Sequence, residues 1–227
     1  MPTDPPAAPL IVPFALGPYQ TNCYVIRDPA AATRSPSGRE ACWIADLGMD
    51  PAPLLEYLER ERLEPAAIVL THCHVDHIAG LFDARTRYPD VPIWVHRAEE
   101  AWLSDPMLNL SAAAGIPVTA PTPSRLLEDN ETLELLGQPW EVRHTPGHSP
   151  GSISLIHHPS NQALVGDALF NGSIGRTDFP GCDFATLARS IRTRLYDLPD
   201  QTAVLPGHGP GTTIGHEKRT NPFVPAQ

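Results

Sequence analysis

Three histidines and one aspartate fall close together in one stretch: His72, His74, Asp76 and His77. Imidazole nitrogen and carboxylate oxygen are ordinary protein ligands of zinc, iron and manganese. The apolar run Ala66-Ala67-Ile68-Val69-Leu70 directly precedes them and reads as a buried strand. On an extended segment, side chains two apart project to the same side, so His72, His74 and Asp76 would face one way. His77 follows at once and would point elsewhere. The spacing therefore predicts two metal positions rather than one. A polar loop rich in histidine is the plain alternative.

Three further ligand-type residues stand alone at the ends of later apolar runs. His148 lies in Thr145-Pro146-Gly147-His148-Ser149-Pro150-Gly151, Asp167 follows Ala163 to Gly166, and His208 lies in Leu205-Pro206-Gly207-His208-Gly209-Pro210-Gly211. Glycine and proline set tight turns that present one side chain at a fixed angle. Taken singly, each reads as turn chemistry. His96, His144, His157, His158 and His216 fall outside these settings. His157-His158 reads as an exposed turn and His216 as a surface residue. Cys73 is expected to point away from its histidine neighbours.

These residues must be held by a scaffold, and the rest of the chain supplies one. Leu10 to Leu16 and Thr21 to Arg27 read as a hairpin about Gly17-Pro18, Ala31 to Arg39 as a surface loop, and Cys42 to Asp46 as a strand. Pro51 to Arg62 reads as a helix, with Leu54, Leu55, Leu58 and Leu63 on a helical period. A second helix is expected from Ile78 to Tyr88, with Ile78, Leu81, Phe82 and Ala84 as its apolar side. Strands are expected at Val91 to Val95, twice within Thr132 to Pro146, at Ser152 to His157, at Ala163 to Gly166 and at Ala203 to Leu205. A short helix is expected at Ala98 to Leu103, and Asp183 to Leu198 reads as a third full helix capped by Asp183. Ser104 to Arg125 lacks a period and reads as a long loop, either a surface insertion or a flap over the site. A short polar tail would follow the last strand. Strands, helices, strands and helix in this order fit an α/β fold of four layers, an αββα sandwich.

Bulk properties narrow the field further. A chain of 227 residues can bury one substantial core, here expected as a single domain over residues 10–227 behind a flexible tail at 1–9. The formal net charge of −10 argues against non-specific nucleic-acid binding and against anionic membranes. The start of the chain lacks the pattern of a secretory leader, and no apolar run is long enough to span a bilayer. Cys23, Cys42, Cys73 and Cys182 form no Cys-x-x-Cys pair, so a cytoplasmic protein with free thiols is expected.

The stretch His72-x-His74-x-Asp76-His77, with His148, Asp167 and His208 in order behind it, resembles the signature of the metallo-β-lactamase superfamily over nearly the whole chain. The resemblance implies one metal held by His72, His74 and His148, a second by Asp76, His77 and His208, and Asp167 bridging them. Asp76 would also orient the nucleophile. Two dications a few ångströms apart lower the pKa of a shared water to near neutrality. Thr21-Asn22-Cys23-Tyr24, Gly175-Arg176-Thr177-Asp178 and the final stretch from Gly207 to Phe223 resemble the small bacterial glyoxalase II-like hydrolases. That likeness implies hydrolysis of thioesters such as S-D-lactoylglutathione by a metal-held hydroxide, with zinc, iron or manganese as the two divalent metals. The expected partner is a small-molecule thioester, and the protein a monomer or homodimer.

Two positions depart from the longer glyoxalase II enzymes. Those carry a C-terminal helical domain that supplies much of the glutathione site, and a Lys and Tyr pair where this chain has Arg176 and Asp178. Arg176 could bind a substrate carboxylate or form a structural pair with Asp178. A persulfide dioxygenase, which uses one iron, shares the fold and the Gly-Arg-Thr-Asp element, but its final histidine is usually followed by Asp-Tyr where this chain has Gly209-Pro210. A lactonase is a further alternative, and a metal-dependent redox or binding module is the non-enzyme reading.

Overall fold

Strand side chains alternate between two faces, and here both faces are apolar, so each sheet must be covered twice. The structure, a computed structural model, describes residues 8–28, 33–35 and 37–226. The first sheet runs in order β1 (Leu10–Leu16), β2 (Thr21–Arg27), β3 (Glu40–Ala45), β4 (Leu63–Val69), β5 (Ile93–His96) and β6 (Arg125–Leu127). β1, β2 and β3 pair antiparallel, and β3 to β6 pair parallel. The second sheet is built from β7 (Thr132–Leu135), β8 (Gln138–His144), β9 (Ile153–His157) and β10 (Gln162–Gly166). A small hairpin, β11 (Leu169–Phe170) with β12 (Ser173–Ile174), leaves it, and β13 (Ala203–Pro206) and β14 (Thr212–Thr213) complete its far edge.

The alternation of β2 shows the layering. Tyr24 and Ile26 join Trp43, Val69, Trp140 and Leu155 in the apolar layer between the sheets. Cys23 and Val25 turn the other way, with Ile44 and Ile68, against Leu54 and Leu58 of α1 (Ala52–Arg60) and Leu81 of α3 (Leu81–Arg87). On the far side, Val165 and Val204 pack on Leu187 of α4 (Phe184–Ser190) and Ile214 of α5 (Ile214–Thr220). Three apolar interfaces separate four layers, so the fold is the αββα sandwich expected from the element order. Trp43 and Trp140 meet edge to face at 5.1 Å where the sheets touch.

Several local expectations are corrected. Leu63, expected on the helical period of Leu54, Leu55 and Leu58, instead opens β4 after α1 ends at Arg60. The helix expected from Ile78 to Tyr88 is two helices, α2 (Val75–Ile78) and α3, parted at Gly80. Gly80 lies against the backbone of Gly48 so closely that a Cβ there would meet its carbonyl oxygen at 2.5 Å. Phe82 does not join the apolar side; it is exposed, and Ile78, Leu81 and Ala84 carry the burial. Asp183 does cap α4, accepting from the Thr186 N–H at 2.6 Å, but the helix then widens into a π-helical turn at Ile191–Leu195. The polar tail is a correction too: it forms β14 and α5, with Glu217 fully buried. His157 is buried against Gln138 and Ser160, and only His158 of that pair is exposed. Most of the expected N-terminal tail, residues 1–7, lies outside the described residues, as do Ala31, Ala32 and Pro36 of the expected surface loop.

Between Asp105 and Ser124 no regular element forms, as the missing period implied. Buried Asn109 organises this segment. Its amide donates to the carbonyls of Trp102 and Val118, both at 3.0 Å, and its own carbonyl accepts from Val75 N–H at 2.9 Å. Among the described residues no helix is long and apolar enough to cross a membrane.

Candidate metal centre

Every candidate ligand sits just beyond a strand end or on the turn that follows. β4 ends at Val69, and Leu70 to His74 continue without regular structure into α2. The extended spacing read from the sequence therefore holds for His72 and His74 only. Asp76 and His77 lie in the first turn of α2, where the His77 N–H donates to the His74 carbonyl at 2.9 Å. His148 follows β8, Asp167 follows β10 and His208 follows β13. Gly207 must be a glycine, because a Cβ there would stand 2.0 Å from Asp167 Oδ1.

The structure brings all seven candidates together. His72, His74 and His148 offer donor atoms within 4.8 Å of one another, and so do Asp76, His77 and His208. A third grouping, His72, His77 and Asp167, links the two. Asp167 lies between them: Oδ1 is 3.4 Å from His77 Nε2, while Oδ2 is 3.4 Å from His148 Nε2 and 3.5 Å from His208 Nε2. His74 Nδ1 and His148 Nε2 approach to 2.9 Å.

Hydrogen bonds fix which nitrogen faces inward in three of the rings. His77 Nδ1 is 2.8 Å from Asp46 Oδ2, His148 Nδ1 is 2.9 Å from the Arg176 carbonyl, and His208 Nδ1 is 3.1 Å from the Tyr19 carbonyl. An imidazole that donates its Nδ1–H outward keeps the Nε2 lone pair for a cation. The inward atoms His72 Nε2, His77 Nε2 and Asp167 Oδ1 are buried and have no hydrogen-bond partner. Burying such atoms unpaired is costly. A pair of divalent cations would satisfy all of them, so the residues fit the metals that the spacing implied.

The electrostatics of His72, His74, Asp76 and Asp167 agree with that fit. Burial holds His74 down to about 3, helped by the neighbouring His148, and burial with the adjacent histidines lowers His72 as well. Both rings therefore stay neutral and able to ligate near neutral pH. Burial opposes ionisation of Asp76 and Asp167, but His77 and His208 outweigh it and hold both carboxylates below their usual range. Burial likewise opposes charge on His77, yet Asp76, Asp46 and Asp167 raise its pKa. Cys73 lies in the apolar layer beneath α1 and α3, where burial pushes its thiol well up, so it is not a thiolate ligand.

Above these atoms opens a cavity of about 520 Å³, walled by Tyr19, Val75, Leu110, Phe170 and Phe179. Ala113 and Ala114 add to the wall, so part of the segment expected as flap or insertion lines the cavity. Arg176 also lines it; the guanidinium pairs with Asp178 at 2.8 Å and stacks 4.3 Å over Phe179. His96 and His144 stack on each other at 4.2 Å, and His158 and His216 are exposed. None of these four joins the donor groups.

Sequence reasoning missed three supporting residues. Asp46 accepts from the Thr71 N–H and hydroxyl, both at 2.7 Å, as well as from His77. The Thr21 hydroxyl donates to Asp76 Oδ2 at 2.8 Å. Glu99, buried in the 3-10 turn Arg97–Ser104, accepts backbone N–H groups from Cys73 and Gly151. The only signal for Asp46 was a carboxylate closing a strand; Glu99 gave none.

The profile of the metallo-beta-lactamase superfamily matches residues 16–208. The hydroxyacylglutathione hydrolase GloC of Haemophilus influenzae is 36% identical over 208 residues, covering 91% of this chain and 93% of that protein. Among solved structures, the B3 metallo-beta-lactamase BLEG-1 superposes with a TM-score of 0.87 at 40% identity, covering 95% of this chain and 99% of that one. TTHA1623 in a di-iron-bound form superposes with a TM-score of 0.78 at 38% identity, covering 93% and 99%. With the fold, the donor set and these likenesses in agreement, the chain belongs to the metallo-beta-lactamase superfamily, as a metallo-hydrolase.

Proposed function

We propose that the protein is a glyoxalase II-like thioesterase that hydrolyses S-D-lactoylglutathione or a related hydroxyacyl thioester. One metal would be held by His72, His74 and His148, and the other by Asp76, His77 and His208, with Asp167 between them. The observation that carries the reading is the meeting of both donor groups at Asp167 on the floor of the cavity. The thioester chemistry is supported by the likeness to GloC along almost its full length. When bound, the two dications supply a hydroxide near neutral pH and a Lewis acid for the developing oxyanion.

The chain's own groups do the rest. Asp76 Oδ2 lies between the Thr21 hydroxyl, at 2.8 Å, and His208 Nε2, at 3.1 Å, and Asp76 lines the cavity, so its carboxylate can orient the attacking oxygen. Tyr19, Phe170 and Phe179 exclude water from the reacting carbonyl and bind the apolar part of the substrate. Arg176 takes a substrate carboxylate, exchanging it for Asp178. A thiolate is a good leaving group, so no proton donor beside it is needed. Zinc is the first choice of metal. The di-iron form of TTHA1623 supports iron as an alternative, with manganese the third. The formal charge of −10 supports a small-molecule partner rather than nucleic acid or membrane, and free cysteines support a cytoplasmic setting. A monomer or a homodimer would serve equally.

The test is loss of the thioester from S-D-lactoylglutathione, using protein of measured metal content and His72→Ala as control. Rapid turnover that scales with metal content is the expected result. Turnover no faster than the control by metal-replete protein refutes the thioesterase. Oxygen uptake with glutathione persulfide on the iron form would then favour the dioxygenase, and hydrolysis of simple lactones the lactonase.

A further inference from the structure

Glu99 is a carboxylate sealed from solvent, with no cationic side chain bonded to it among the described residues. Its partners are neutral donors on two separate loops. Oε2 accepts from the Cys73 N–H at 2.6 Å, and Oε1 accepts from the Gly151 N–H at 2.7 Å. Cys73 stands between His72 and His74, and Gly151 closes the turn that carries His148. One side chain thus holds both loops that supply the three-histidine group.

The seat for Glu99 is shaped as well as bonded. A Cβ on Gly151 would stand 2.8 Å from Glu99 Cγ and 3.1 Å from its Cδ, so only glycine lets the carboxylate reach that backbone. Among the described residues Glu99 bonds directly to none of Asp76, His77 and His208; Asp76 bonds to Thr21, His77 to Asp46 and His208 to the Tyr19 carbonyl. Asp46 also holds Thr71 beside His72, whereas Glu99 joins the His72–His74 stretch to the His148 turn.

We propose that Glu99 is a positioning residue that clamps the His72–His74 loop to the His148 turn and so sets the occupancy of the three-histidine metal position. The inference rests on the dinuclear reading given above. A carboxylate with a donor on each oxygen is acceptor-only. Glu99→Gln keeps the shape but turns one acceptor into an NH2 group, which must face one of the two backbone N–H donors. One loop is then released while the other stays tied. Removing such an outer partner of a metal ligand typically lowers metal affinity by about 10–100-fold.

The experiment is a zinc titration of the chelator-stripped full chain against a chromophoric competitor, for wild type and Glu99→Gln. Wild type taking up two equivalents supports the dinuclear reading, and fewer than two overturns that reading whatever Glu99 does. Given two, the expected result for Glu99→Gln is one equivalent at wild-type affinity and one weakened about 10–100-fold. KM for the thioester should be unchanged at saturating zinc. A purely structural role would lower the unfolding midpoint and weaken both equivalents alike, and that outcome overturns the proposal. So do two equivalents at wild-type affinity. Should Glu99→Gln yield no folded protein, Glu99→Asp decides. It keeps the charge but is one methylene too short to span both loops, so it should lose the same single equivalent by a smaller factor. Wild-type binding by Glu99→Asp would likewise overturn the clamp.

Discussion

Asp46→Asn would show how the protein chooses the donor atom of His77. Asp46 is buried, and its Oδ2 lies 2.7 Å from the Thr71 hydroxyl and 2.8 Å from His77 Nδ1, while Oδ1 accepts from the Thr71 N–H at 2.7 Å. Its φ of +58° suits asparagine as well as aspartate, so the substitution adds no backbone strain. The Thr71 N–H orients the new amide, drawing its oxygen to the place of Oδ1. The NH2 group then occupies the place of Oδ2 and faces the His77 Nδ1–H, donor against donor. The Thr71 hydroxyl can turn to accept. The imidazole can accept only by moving its proton to Nε2, the atom that faces Asp76 and Asp167.

That tautomer has no lone pair left for a metal. A hydrogen bond to a charged group is worth about 1.5–3 kcal/mol, and roughly 1.4 kcal/mol is a factor of ten in affinity. Metal binding at Asp76, His77 and His208 should therefore weaken roughly 10–100-fold, matching the usual effect of losing such a partner. The competitor titration reads this directly, and activity should recover as zinc is raised, with KM unaffected. Two zinc equivalents at wild-type affinity in Asp46→Asn would refute the tautomer argument.

The remaining expectations are briefer. Asp167→Ala should lose both metals and activity together; an active, metal-replete variant would refute the bridge. Arg176→Ala should raise KM for an anionic thioester more than it lowers kcat, and an unchanged KM would leave Arg176 as the partner of Asp178 alone. Combining Asp46→Asn with Glu99→Gln should weaken both equivalents, whereas a common target for the two residues would weaken only one. His96 is lowered to about 4 by burial and by His144, against an ordinary 6.5. Between those values the unfolded chain binds the proton and the folded chain does not, so His96 costs stability as pH falls from about 6.5 to about 4. His96→Gln should flatten that fall in the urea midpoint, and an equally steep fall would refute it.

The sequence was most legible where a single interaction dominates. Strand periods, the Asp183 cap and the buried leucines of α1 depend on nearest neighbours and on one apolar face, and the structure agrees with them. It was least legible where a distant backbone decides. The break at Gly80 exists because Gly48 presses against it, and nothing within Ile78 to Tyr88 records that contact. The last stretch looked like a tail because Glu217 and Asn221 are polar. Their deciding partners lie far away: Glu217 takes the Gly172 N–H at 3.1 Å, and Asn221 donates to the Ser173 carbonyl at 3.1 Å. The candidate ligands stood out by residue type. Their supports, Asp46, Thr21 and Glu99, are ordinary residue types whose role is set only by what folds against them.

Those supports explain how ligands scattered from His72 to His208 can meet in one place. Both sheets release their ligand-bearing loops at the same edge of the sandwich, and β2 locks the two sheets together there. The Asn22 N–H donates to the Gly207 carbonyl at 2.7 Å, and the Tyr24 hydroxyl donates to the Pro206 carbonyl at 2.7 Å. α5 closes the other side, where Glu217 ties the hairpin after Asp167 to the loop after His208. The loops are thus fixed chiefly by a few buried side chains bonded to backbone groups across the fold, and the cavity wall above them is left to Tyr19, Leu110, Phe170, Phe179 and Arg176. Substitutions in that wall should alter which thioester is taken without disturbing the metals. Substitutions at Asp46, Glu99 or Asp167 should do the reverse. A wall variant that lost metal, or an Asp46 variant that changed substrate preference at full metal occupancy, would break that division.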